Sequence, residues 1–212
     1  MDPSIYNLLL KILALVLPYL VGSIPSALII VRYFSKKDLG MEGSRNIGAM
    51  NSYEVTKKKH IGILVLLADA AKGIAAVLIA KALSYDMSIA LAAVPAAVLG
   101  HNFSIYLKFR GGRGLATALG GMLILSPAAP VLWIAMWLVG FFVIKKHVHV
   151  GNITATVISP ILLFYAPDFF IYNLIILDFY RLDEYRMAFA AICFLIMLRH
   201  IVPLKELLKA KE

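Results

Sequence analysis

Apolar runs long enough to cross about 30 Å of hydrocarbon recur along this chain, and no other feature limits its fold as strongly. Residues 5–31, 61–83 and 87–106 form three such runs, and further apolar runs follow at 128–144, 153–165 and 186–202. A shorter piece, 115–125, is divided from the run after it by Ser126-Pro127. A helical crossing takes about 20 residues, so this piece must borrow the Gly-rich residues before it or be shielded by protein. Lipid accepts such runs as helices, because a helix satisfies its own backbone hydrogen bonds. A water-soluble fold of 212 residues has too little interior for a chain that is 61% hydrophobic with mean hydropathy +0.85. The pattern predicts an all-α integral membrane protein of about seven transmembrane helices, one domain over 1–212. Residues 169–180 read as an interfacial helix or a loop.

Orientation follows from where the cations sit. Arg32, Lys36, Lys37, Arg45 and Lys57 to Lys59 follow the first run. Lys108, Arg110 and Arg113 follow the third, Lys145 and Lys146 the fifth, and Arg199, Lys205, Lys209 and Lys211 close the chain. With seven crossings all of these face one side, which places the N-terminus outside and the C-terminus in the cytoplasm. Residues 1–10 carry Asp2 as their only charge and lack the basic start and small-residue cleavage site of a signal peptide, so the first run reads as a retained crossing. The net charge of +9 then lies mostly on the cytoplasmic face, where it meets anionic membrane lipids and attracts phosphorylated metabolites.

Several function classes fall away. The basic residues lack interleaved aromatics or any nucleic-acid-binding motif, so nucleic acid is not an expected partner. One cysteine, Cys193, sits in an apolar run and excludes a disulfide framework or a thiolate metal cluster. The chain has no HExxH, Walker lysine or Ser-nucleophile elbow.

Three polar stretches on the cytoplasmic side hold the candidate chemistry. Residues 40–51 carry Gly40, Gly43 and Gly48, which allow backbone amides to turn toward an anion. In residues 108–117, Lys108, Arg110 and Arg113 interleave with Gly111, Gly112 and Gly114 just before a helix, so a helix dipole, amides and cations can meet one phosphate. Arg199-His200 closes the last run. Asp69 and Lys72, at i and i+3 inside an apolar run, read first as a structural ion pair. The bland readings are a flexible loop for 40–51 and a head-group anchor for 108–117 and Lys57 to Lys59.

In this order and spacing the chain resembles the acyl-phosphate-dependent glycerol-3-phosphate acyltransferases of bacterial membranes, the PlsY family. The pieces are Gly22-Ser-Ile-Pro-Ser26, Gly43-Ser-Arg-Asn-Ile-Gly-Ala-Met-Asn51, Asp69-Ala-Ala-Lys-Gly73, Gly100-His-Asn-Phe-Ser104, Phe109-Arg-Gly-Gly-Arg-Gly-Leu-Ala-Thr-Ala-Leu-Gly120 and Arg199-His200. They cover nearly the whole chain. The resemblance implies a seven-helix membrane fold with its site facing the cytoplasm of the inner (plasma) membrane. It further implies transfer of an acyl group from acyl phosphate to the 1-hydroxyl of glycerol 3-phosphate, giving lysophosphatidic acid and phosphate, with no cofactor or metal. A monomer is expected. The resemblance, with the cation and glycine pattern, makes Ser44, Asn51 and His200 the candidate catalytic residues. It makes Arg45, Asn46, Lys108, Gly111, Gly112, Arg113, Gly114, His149 and Asn152 candidate substrate-binding residues, and Ser44, Asn46, Asn51, Arg113 and His200 are expected to converge on one cytoplasmic pocket.

The departures from the family pattern matter equally. Glu54 stands where the family carries an arginine, Met50 replaces a threonine and Pro203 an asparagine, while His149 and Asn152 replace two serines. Arg45 stands where the family has glycine, and this pattern predicts that its guanidinium takes over the missing cation's role, with Glu54 neutralised by Lys57 or Lys58 one turn on. The alternatives are a different acceptor, or a membrane protein that binds a lipid phosphate without turnover.

Overall fold

A computed structural model describes residues 2–84, 86–177 and 181–209, and every regular element among them is helical. The tail positions Lys211 and Glu212 and the end of the 169–180 stretch lie outside the described residues. The chain forms two compact units, Met1–Gly121 and Met122–Glu212.

The first unit begins with α1 (Pro3–Ser23), N-capped by the Asp2 side chain on the Ser4 amide. The first apolar run is not one helix. Ile24 leaves the helical region because Pro25 follows it and has no N–H to give, and α2 (Ser26–Ser35) starts afresh. Next come α3 (Ala49–Thr56), α4 (Lys59–Leu83) and α5 (Met87–Asn102). The helix α3 begins inside the stretch expected to be loop, so Asn51 belongs to a first helical turn. A short 3₁₀ turn, Ile105–Leu107, leads toward α6 (Leu115–Leu125), the shorter piece seen in the sequence.

The helices α1, α4 and α5 pack on one another, with α2 and α3 against α4. Their close approach depends on small residues: a Cβ at Gly22 would run into the Ala97 carbonyl, and one at Gly73 into the carbonyl of Thr117 on α6. Under the first loop, Ala27, Val31, Leu39, Ile47, Val55, Ile61 and Val65 form an apolar cluster that ties α2, α3 and α4 together.

In the second unit α7 (Ala128–Leu138) widens over Val139–Ile144 to i→i+5 bonding, with Lys145 N–H on the Gly140 carbonyl at 3.2 Å. It packs on α8 (Val148–Tyr165), and α8 also meets α10 (Leu182–Leu198) and α11 (Ile201–Lys209). Between them lies the short α9 (Asp168–Tyr172), so the start of 169–180 is helical. The buried Tyr185 hydroxyl accepts from the Ala129 amide (3.0 Å) and donates to the Ser126 carbonyl (2.8 Å), closing the helix break at Ser126-Pro127.

The side chains are distributed as lipid requires. On α4, Ile63 and Leu67 are 56% and 60% exposed while Asp69 and Lys72 are buried, the reverse of a water-soluble surface helix. Three stretches, Pro3–Ser35, Lys59–Leu83 and Val148–Tyr165, are long and apolar enough to cross a bilayer; Met87–Asn102, Leu115–Leu125 and Ala128–Ile144 are shorter apolar helices.

Candidate active site

In the first unit the break between α1 and α2 borders a small pocket with polar lining residues. Ser23, Ser26, Asp69, Lys72 and His101 line it, together with Ile47, Gly111 and Gly112. The break explains the charges. Where α1 ends, the carbonyls of Gly22 and Ile24 lack helical partners, and the Lys72 ammonium takes both, at 3.3 and 2.9 Å. Asp69, one turn earlier on α4, pairs with that ammonium at 2.8 Å and accepts the Ser26 hydroxyl at the start of α2 at 2.5 Å. A cation thus sits at the negative end of α1 and an anion at the positive end of α2. The pair read from sequence as an ion pair is one, and it also lines a pocket.

His101, at the end of α5, brings Nδ1 to 3.3 Å from Lys72 Nζ and 3.3 Å from Thr117 Oγ1. The same nitrogen lies 3.7 Å from Asp69 Oδ1, so the imidazole stands within reach of both members of the ion pair. The ring lies directly against the glycine loop: a Cβ at Gly112 would collide with Nε2, and one at Gly111 with the His101 carbonyl. The Gly112 amide donates to that carbonyl at 3.0 Å. Gly112 thus spends its N–H within the protein, on His101. Lys108 and Phe109 adopt positive φ of 53° and 61° on the exposed turn before the glycines, and Gly114 has φ 77° against Asn102. Arg113 is half-buried.

The other candidate loop is held from inside by Asn51. Its Oδ1 accepts the Ser44 amide at 2.9 Å, and its Nδ2 reaches the carbonyls of Asn46 (3.0 Å), Glu42 (3.3 Å) and Leu39 (3.4 Å). Asn51 is 1% exposed, so its polar atoms shape the loop. Ser44 and Arg45 are exposed and Asn46 half-buried. Ile47 lines the pocket and its carbonyl lies where a Gly112 Cβ would go, so the two loops meet there. Arg45 is not among the pocket's lining residues; it takes the left-handed conformation, φ 56°, at the position where the family has glycine. Among the described residues no ion pair joins Glu54 to Lys57 or Lys58, and Lys57 is instead the left-handed cap of α3. At the entry to the loop, the Gly40 amide and then the Arg32 guanidinium hold the Asp38 carboxyl below its usual range.

The remaining candidates lie in the second unit. His200 is buried; its Nδ1 donates to the Ile196 carbonyl (2.9 Å), so Nε2 accepts from Asn152 Nδ2 (3.3 Å). Asn152 Oδ1 in turn accepts from Trp137 Nε1 at 2.8 Å. The His149 ring stands edge-on to His200, 6.1 Å between centroids. Sequence reasoning gave Ser26, His101 and Thr117 no place in the site and read Asp69 and Lys72 first as a structural ion pair; for that pair the available signal was ionisable residues at helical spacing inside an apolar run. No group of three or more His, Cys, Asp or Glu among the described residues has a metal-binding arrangement.

Fold and site together define a helical membrane protein with a polar pocket set between a glycine loop and a broken helix. The chain belongs to the glycerol-3-phosphate acyltransferase family, whose model matches residues 12–210. It is 40% identical over 154 residues to glycerol-3-phosphate acyltransferase 2 of Moorella thermoacetica, covering 73% of this chain and 78% of that one. It is 37% identical over 203 residues to the glycerol-3-phosphate acyltransferase of Neisseria meningitidis, with 94% of each chain covered. Its structure is similar to crystal structures of PlsY, an integral membrane glycerol 3-phosphate acyltransferase. The glycerol 3-phosphate form gives TM-score 0.75 at 30% identity over 95% of this chain and 94% of that one. The lysophosphatidic acid form gives 0.72 at 31% over 97% and 93%.

Proposed function

We propose that this protein transfers a fatty acyl group from acyl phosphate to the 1-hydroxyl of glycerol 3-phosphate, releasing lysophosphatidic acid and phosphate for phospholipid synthesis. The observation that carries this reading is the match, along nearly the whole chain, to an enzyme solved in both a glycerol 3-phosphate and a lysophosphatidic acid form. The protein sits in the plasma membrane by about seven crossings, N-terminus outside, with the site and its cations facing the cytoplasm; the basic loops support that orientation. It works as a monomer among anionic lipids.

The chemistry suits a site of cations and amides. In an acyl phosphate the carbonyl carbon already carries a good leaving group. The acceptor hydroxyl oxygen forms the new C–O bond, the bond to the phosphate oxygen breaks, and the hydroxyl proton ends on the departing phosphate. The protein must hold two anions side by side and stabilise charge on the carbonyl oxygen, which asks for positioning and electrostatics. Arg113, the Gly111 to Gly114 turn and the start of α6 are assigned to the acceptor's phosphate, helped by Lys108. Ser44, Arg45 and Asn46 on the exposed loop are assigned to the reacting groups, with Asn51 shaping that loop from beneath. The parts given to His149, Asn152 and His200 rest on the resemblance.

The test is purified protein in detergent, supplied with acyl phosphate and a panel of phosphorylated acceptors, with products read by mass spectrometry. Lysophosphatidic acid formed from glycerol 3-phosphate is expected. Retention of acyl phosphate without transfer to any acceptor would replace this reading with a lipid-phosphate-binding role.

A further inference from the structure

The buried group beneath the glycine loop has no part in the chemistry described above. Asp69 and Lys72 are 2% and 7% exposed, and closing a helix break does not by itself demand a charged pair there. What the pair adds is a connection. Lys72 reaches from the α1 carbonyls to His101 Nδ1, Thr117 at the start of α6 holds the same nitrogen, and His101 touches Gly111 and Gly112 through its ring edge and carbonyl. One ammonium therefore joins α1, α4 and α5 to the loop.

We propose that Asp69, Lys72 and His101 are positioning residues that fix the glycine loop for the acceptor's phosphate; this rests on the reading that the loop binds that phosphate. With Nδ1 held beside Lys72 and Thr117, the imidazole presents its Nε2 edge as the wall against which Gly112 is seated. A residue larger than glycine is excluded at 112 by that ring edge and at 111 by the His101 carbonyl. The pair has no net charge, and the carboxylate contacts to Ser26 and Lys72 both fall on Oδ1. The device thus holds a loop in place without placing a second cation in competition with Arg113.

The test uses two variants of the full chain. Replacing Lys72 alone strands a buried carboxylate, so the first variant is the double change Asp69→Asn with Lys72→Met, which leaves no unpaired charge and keeps an acceptor for Ser26. The second is His101→Phe, which keeps ring volume and removes Nδ1. In both, KM for glycerol 3-phosphate is expected to rise about tenfold or more while KM for acyl phosphate is unchanged, because a misplaced loop affects only the ligand it holds. Hydrogen exchange of the 111–114 amides is expected to speed up. A parallel rise of both KM values with a lower Tm would reduce the group to scaffolding and overturn the proposal. Unchanged exchange at 111–114 would overturn it too, whatever the activity. If the wild-type protein transfers no acyl group, the functional reading fails, and the exchange measurement still decides this one.

Discussion

Asn51 Oδ1 accepts the backbone N–H of Ser44 at 2.9 Å, so a helix residue that solvent barely touches determines the path of the exposed loop in front of it. Three loop carbonyls converge on the same side chain's Nδ2. Asn51→Ala strands the Ser44 amide and those carbonyls, and is expected to lower stability by on the order of 2 kcal/mol together with turnover. Asn51→Asp keeps the acceptor but turns an oxygen toward the carbonyls, so it should be the worse of the two. Denaturation in detergent and the acyl-transfer assay, run side by side, check the order.

Arg45 permits charge and backbone to be separated. At φ 56° an arginine is strained by about 1 kcal/mol or more relative to glycine. Arg45→Gly should therefore keep or raise Tm. If the guanidinium meets a substrate phosphate, Arg45→Gly and Arg45→Ala should each lower turnover by tens of fold, matching a charge-assisted contact of about 1.5–3 kcal/mol. Glu54→Arg, restoring the family's cation, should leave turnover intact or raise it. Full activity in Arg45→Gly would remove Arg45 from the site.

Gly112→Ala places a methyl group on His101 Nε2 and the Ile47 carbonyl at once, and neither is the free end of a flexible chain. It is expected to abolish saturable use of glycerol 3-phosphate and to reduce the yield of folded protein. Gly48→Ala is the control on the neighbouring loop: its Cβ would meet only the Asn46 side-chain amide at 3.0 Å, so the effect should be much smaller. Yield by size-exclusion chromatography and KM for the acceptor give the comparison.

Asp38 supplies a pH prediction. Its carboxyl is held below the ordinary 3.8 by the Gly40 amide first and the Arg32 guanidinium second. A lowered pKa means the native loop prefers the ionised form, so its contribution is complete above that value and disappears as pH falls through the lower folded one. The Gly40 amide resonance should titrate with a midpoint below 3.8 and stay flat through neutral pH. In Arg32→Ala the midpoint should move up but remain depressed, since the larger contribution is the amide's.

Membrane character, several of the apolar helices and the family were legible in the sequence, because run length and apolar content are local quantities and the motifs are contiguous. The piece 115–125 matches α6 residue for residue, and 61–83 lies within α4. Contiguity also set the limit. The first run hid the break at Ile24-Pro25, and only the fold shows what fills it, since Lys72 and Asp69 reach the two broken ends from a helix almost fifty residues on. Asn51 carries a family motif, and its letter does not say that its amide turns inward to hold Ser44. Arg45 reads as a spare cation, yet its left-handed backbone and exposed position follow from the turn around it. His101 acquired a role only when α5, α4 and the glycine loop came together. A sequence lists which side chains are available; which polar atoms each one satisfies is decided by tertiary packing, because a buried donor or acceptor must find its partner wherever the fold places one.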